Sequence, residues 1–137
     1  MITGFIAGTF DVIHPGYVAM LREARNHCEY LTVALHVDPS VERYEKLKPI
    51  LSVEDRASIL LSLTLVDNVH PYKTEEDLVK LLKRYNPDIR FLGDDYKDKK
   101  ITGEELNIPI YYLDRSHGWS TTKFKKLIYE QMKNKIL

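Results

Sequence analysis

Apolar and polar positions along the chain fall into blocks that switch between strand and helix periods. Ile2–Ala7 is a short apolar run ending at Gly8, as in a buried strand. Pro15 suits a first helical position, where its missing N–H costs nothing. A helix is predicted from Pro15 to about Asn26, with Val18, Leu21 and Ala24 on its apolar stripe. Tyr30–Val37 reads as a second strand, and Asp38–Pro49 as a polar, irregular segment. Ser52-Val53-Glu54-Asp55 resembles a capping box and opens a helix to about Thr64, through Ile59, Leu60 and Leu63. Asn68–His70 is a brief strand, and Thr74 caps a helix with Leu78, Leu81 and Leu82 on one face. Asp88–Leu92 and Ile108–Leu113 are the last strands, and Ser120 caps a helix to about Asn134. Strands alternating with helices imply an α/β fold with a mostly parallel, five-stranded sheet.

Composition narrows the classes. The chain has 137 residues, which suits one ordinary domain over residues 1–137. Its 44% hydrophobic content supports a core. Lys+Arg and Asp+Glu both number 20, so the basic excess of a protein that coats nucleic acid is missing. One cysteine, Cys28, excludes an internal disulfide framework and a Cys-based zinc site, and suits a reducing cytoplasm. No apolar run reaches membrane-spanning length, and the first residues lack the pattern of a signal peptide. A cytoplasmic protein that does not engage membranes is expected.

In open parallel sheets, ligands sit beyond the carboxyl ends of the strands. Those ends carry Gly8-Thr9-Phe10-Asp11, His36-Val37-Asp38, Gly93-Asp94-Asp95 and Arg115-Ser116-His117-Gly118. Gly8 permits close backbone approach. His14 and Tyr17, three residues apart, share a face of the first helical turn, beside Gly16 and a helix start whose free N–H groups favour phosphate. Lys46 and Lys48 can neutralise phosphate. Arg56 sits in a first helical turn, against the dipole, and a bound anion would explain it. Asp94 can accept hydrogen bonds from a base or ribose. Arg115 offers a planar fork near a second helix start at Ser120 and Thr121. No metal site is assigned to side chains. Cys28, His27 and His70 read as packing residues, Trp119 as a core anchor, and His36 as a candidate for the crevice wall.

Taken in order, these segments resemble the nucleotidylyltransferase superfamily, and most closely its glycerol-3-phosphate cytidylyltransferase type. Gly8-Thr9-Phe10-Asp11 with His14-Pro15-Gly16 resembles the G-x-F-D and H-x-G-H signature, with Tyr17 in place of the second histidine. Gly93-Asp94-Asp95-Tyr96 resembles G-D-D-W, and Arg115 to Lys123 resembles R-T-E-G-I-S-T-T-K. Leu63 to Val69 is similar to R-Y-V-D-E-V, with Thr64 for the arginine. The resemblance implies a Rossmann-like fold with helices on both sheet faces, often dimeric. It implies transfer of a nucleotidyl group from CTP to a phosphorylated small molecule such as glycerol 3-phosphate, with magnesium on the triphosphate. His14, Tyr17, Lys46 and Arg115 would then be catalytic. Gly8, Thr9, Phe10, Asp11, Gly16, Lys48, Arg56, Gly93, Asp94, Ser120 and Thr121 would bind the nucleotide, with Thr9, Phe10 and Asp11 on the pocket floor. Two alternatives remain: an ATP-dependent adenylyltransferase, or a nucleotide-binding protein with weak or no turnover, because Tyr17, which cannot carry positive charge, and Thr64 depart from the family pattern.

Overall fold

The structure is a computed structural model and describes residues 1–136. Five strands are present: β1 (Thr3–Gly8), β2 (Tyr30–His36), β3 (Asn68–Tyr72), β4 (Ile89–Gly93) and β5 (Ile110–Leu113). They alternate with α1 (Pro15–Arg25), α2 (Val53–Leu61), α3 (Glu75–Tyr85) and α4 (Thr121–Ile136). The sheet order is β3-β2-β1-β4-β5, and all four neighbouring pairs are parallel.

Side-chain alternation builds a core on each face. Leu31, Val33 and Leu35 of β2 join Leu21 and Ala24 of α1 and Leu60 of α2. Phe5 of β1 and Ala34 of β2 join Leu78, Leu81 and Leu82 of α3 on the opposite face. Strands covered on both faces must be apolar nearly throughout, which is why the runs in the sequence look continuous.

Boundaries moved where local chemistry intervened. β3 runs on to Tyr72 because it is an edge strand, where Pro71 can sit without a missing donor. α2 stops at Leu61, three residues short of Thr64. The Ser62 hydroxyl there donates to Ser58 O, and the turn that follows brings Asp67 to accept from Leu31 N at 2.8 Å.

The crossovers set the site. α1 and α2 lie on one face, and α3 returns along the other to place β4 beside β1. Strand order therefore reverses between β1 and β4, which opens a crevice at their carboxyl ends. Replacing the fully buried Leu82 by Ala should lower stability by about 2–5 kcal/mol in urea unfolding. A loss below about 1 kcal/mol would show that α3 does not pack as described.

Candidate active site

A crevice of about 370 Å³ lies at the reversal point. Gly8, Thr9, Phe10, Tyr17, Lys46, Gly93 and Arg115 all line it. A smaller adjoining recess of about 190 Å³ is lined by His14, Tyr17, Arg115, Trp119, Ser120 and Thr121. Tyr17 and Arg115 belong to both.

His14 caps α1. Its Nδ1 accepts from Gly16 N at 3.1 Å, so in the neutral ring the hydrogen resides on Nε2. That Nε2 points toward Thr121, with Oγ1 at 3.4 Å. The ring stacks between Tyr17, at 4.3 Å between centroids, and Trp119, at 5.7 Å. Burial first, then the nearby His117 and Arg115, hold the His14 pKa below its ordinary value. His14 is thus an uncharged donor near neutral pH. Gly16 allows this packing, because a Cβ there would lie 2.5 Å from Trp119 Cβ.

Tyr17 meets the Thr121 hydroxyl at 2.7 Å. With Thr121 donating, the phenolic hydrogen is free for a ligand. Burial pushes the Tyr17 phenol above its ordinary pKa, so it stays protonated. Ser120 caps α4, its Oγ accepting from Lys123 N at 3.1 Å. Two helix starts therefore present amides to one recess, bridged by Tyr17 and Thr121. Arg115 is held by its backbone N–H to Asp94 Oδ2 (3.3 Å) and by Nη2 to Trp119 O (3.2 Å). Its Nε is buried without a partner.

Several expected ligands do not line the crevice. Arg56 is 2% exposed. Its guanidinium donates to Thr9 O (2.9 Å), His36 O (2.7 Å) and Val37 O (2.7 Å), and its Nε to Leu51 O and Ser52 O. Carbonyl dipoles at the strand ends supply the negative potential that an anion was expected to supply. Asp11 is 1% exposed and does not form the pocket floor. It accepts from Ile50 N (2.8 Å) and Leu51 N (2.9 Å) and pairs with Lys125 at 2.5 Å. Burial raises the Asp11 pKa, but Lys125 and the two amides outweigh it, and the net shift is downward. Lys48 and Asp94 also lie off the crevice lining, Lys48 exposed and Asp94 accepting from Arg115 N. Thr64 is exposed beyond the end of α2, away from the lining.

His27 stacks on Tyr111, His70 meets the Tyr85 hydroxyl, and Cys28 is buried, all as packing groups. Trp119 turns its ring onto His14 instead of entering the apolar core. Sequence reasoning passed over Lys125, Tyr72 and Arg90; of these, Arg90 carries a signal, a cation in an otherwise apolar strand.

A parallel sheet whose crevice holds neutral and cationic donors beside two helix starts is an α/β arrangement suited to phosphate. The cytidylyltransferase-like family model matches residues 5–134, and the chain belongs to that family. The chain is 35% identical over 119 residues to the bifunctional protein HldE of Helicobacter pylori strain 26695, covering 86% of this chain and 26% of that protein. It is 38% identical over 104 residues to HldE of Hyphomonas neptunium, covering 75% of this chain and 21% of that protein. The chain thus spans about a quarter of the length of these curated relatives. Among solved structures, the lipopolysaccharide core biosynthesis protein of Thermoplasma volcanium matches with a TM-score of 0.66 at 26% identity, covering 83% of this chain and 95% of that one. Pantothenate synthetase of Thermus thermophilus matches at 15% identity with a TM-score of 0.55, covering 83% of this chain and 55% of that one, a likeness of fold.

Arg56→Lys should cost about 3 kcal/mol of stability, since the carbonyls of Thr9, His36 and Val37 lose charge-assisted partners. Unchanged unfolding with weakened nucleotide binding would restore Arg56 as a ligand. In the free protein, the NMR titration midpoint of His14 should lie below the ordinary value of about 6.5. The unfolded state then binds the extra proton, so stability falls as pH drops below that value. A midpoint above it would mean His14 is charged in the resting site.

Proposed function

We propose that this chain transfers a nucleotidyl group from a nucleoside triphosphate, CTP in the first reading, to the phosphate of a small molecule. The products are a nucleoside-diphosphate-linked compound and pyrophosphate. One observation carries the reading: His14 Nε2, the Tyr17 hydroxyl, Thr121 and Arg115 converge on one recess between the starts of α1 and α4. Membership of the cytidylyltransferase-like family supports the same chemistry.

An oxygen of the acceptor phosphate attacks the α-phosphorus in line, and the bond to the pyrophosphate oxygen breaks. No covalent enzyme intermediate is needed. The chain's work is positioning and stabilising charge on the phosphoryl oxygens. His14 and Tyr17 donate hydrogen bonds as neutral groups. Arg115 supplies fixed positive charge, and Lys46 brings another cation from the loop after β2. The amides at Thr121 and Thr122 receive the outer phosphates. Among the described residues, no group of three or more His, Cys, Asp or Glu side chains comes together to hold a metal. Magnesium enters in this reading as part of the substrate, carried on the triphosphate.

ATP is the competing donor. A solved relative of this fold, pantoate-beta-alanine ligase of Francisella tularensis, was crystallised with a beta-gamma ATP compound at 16% identity to this chain and a TM-score of 0.58. Pairing of two copies, implied by the resemblance, has an apolar face available in the exposed Ile128, Tyr129 and Met132 of α4, and sedimentation measures it.

Incubation with magnesium, CTP or ATP, and a panel of polyol and sugar phosphates should release pyrophosphate with one nucleotide. His14→Ala should lower kcat/KM by roughly 100- to 1000-fold, and Tyr17→Phe by roughly 10- to 1000-fold. Full activity in both variants would remove the assigned recess from the reaction. Tight nucleotide binding without pyrophosphate from any acceptor would favour a binding protein.

A further inference from the structure

The crevice has a second wall that the proposed reaction does not use. His36 of β2, Tyr72 of β3 and Arg90 of β4 line it from the α3 side of the sheet. All three are buried, with His36 at 3% exposure and Arg90 at 5%. The His36 ring lies flat on Tyr72, 4.6 Å between centroids and 18° between planes. His36 Nε2 is buried and has no hydrogen-bond partner. The Arg90 guanidinium donates only to Thr102 O, and among the described residues no carboxylate pairs with it. Arg90 lines the crevice.

Charge around this wall is one-sided. Arg43, Lys46, Arg90, Lys100 and Arg115 line the crevice, and Glu75 is the sole acid among the lining residues. Glu75 is itself engaged by Arg43 at 3.9 Å. A buried guanidinium without a counter-ion loses hydration that only an anion or several acceptor atoms can replace. Arg115 also lines the nucleotide recess, and in the proposed reaction it and Lys46 serve the phosphates that react there. Arg90, on the inner strand β4, lines the crevice but not that recess and is left over.

We infer that His36, Tyr72 and Arg90 form an anion subsite for the acceptor. The acceptor would carry, besides its attacking phosphate, a second anionic group, either a carboxylate or a phosphate. This rests on the reading of the crevice as a nucleotidyl-transfer site. Arg90 provides the fixed charge and a planar pair of donors. The Tyr72 hydroxyl and His36 Nε2 complete the polar lining.

The test compares matched acceptors that differ in one group. Glucose 1-phosphate is set against glucuronic acid 1-phosphate and glucose 1,6-bisphosphate, and glycerol 3-phosphate against 3-phosphoglycerate. In at least one series the charged member should show a kcat/KM roughly 10- to 100-fold above its neutral partner. The carboxylate and bisphosphate arms then say which anion is taken. Arg90→Met should reduce that ratio to near one, and Arg90→Lys should restore part of it. Neutral members equal to or better than charged ones in both series would overturn the subsite. So would an Arg90→Met loss of the same size for both members of a pair. If no acceptor releases pyrophosphate, the proposed reaction fails, but calorimetry with the same compounds still reads the subsite. Tighter binding of charged members that disappears in Arg90→Met supports it, and equal binding overturns it. Should Arg90→Met not fold, Tyr72→Phe gives the same comparison, with a smaller loss confined to the charged member.

Discussion

The guanidinium of Arg56 is the interaction on which the site's shape depends. It gathers carbonyls from the loop after β1, the end of β2 and the entry to α2 around one buried cation. Each of these carbonyls lies at or beyond a strand end, where the guanidinium serves as its donor. Asp11 performs the converse task a few residues away, collecting the amides of Ile50 and Leu51 and the ammonium of Lys125 on α4. The two buried charges together fix the β1–α1 loop, the β2–α2 loop and the last helix around the open ends of β1 and β2.

With that frame set, the recess acquires an unusual electrostatic character. Its first donors, His14 and Tyr17, are neutral, and their rings are wedged among Phe10, Trp119 and Phe124. Phe10 takes a left-handed φ of 47° as its ring packs 4.8 Å from Tyr17. Fixed positive charge comes from Arg115 at one side and Lys46 at the other. Neutral donors aimed by aromatic packing resist reorientation when phosphate charge builds up, which suits a reaction stabilised by preorganised groups. Tyr17 replaces a histidine of the family signature. Its hydroxyl can still donate, and its bond to Thr121 links the two helix starts across one recess.

The fold was legible because parallel strands buried on both faces leave continuous apolar runs, and because caps such as Ser52 and Thr74 mark helix starts. Each strand and α-helix stands where the periodicity placed it, within a few residues, whereas the short 3-10 turns at Asp94–Tyr96 and Glu104–Leu106 carry no periodic signal and were not expected. The site was legible as far as its strand ends and helix starts, so His14, Tyr17, Arg115, Ser120 and Thr121 were found together. Arg56 was misjudged for a definable reason. A cation in a first helical turn does require negative potential, but sheet register supplied it as carbonyls from Thr9, His36 and Val37, residues 47, 20 and 19 positions away. Asp11 likewise found its amides 39 and 40 residues downstream. Such long-range saturation leaves no local trace, so a polar residue beside a motif looks the same whether it faces a ligand or the frame. Arg90 is the opposite case, a cation in an apolar strand whose side chain the frame does not saturate.

The central claim is that one triphosphate spans the starts of α1 and α4. A crystal structure with a non-hydrolysable CTP or ATP analogue and magnesium tests it most directly. The account requires phosphate oxygens within hydrogen-bond reach, about 2.7–3.2 Å, of His14 Nε2, the Tyr17 hydroxyl and the Thr121 or Thr122 amide, with Arg56 still closed on its carbonyls. A nucleotide ordered elsewhere, or phosphates bound by a displaced Arg56, would contradict it.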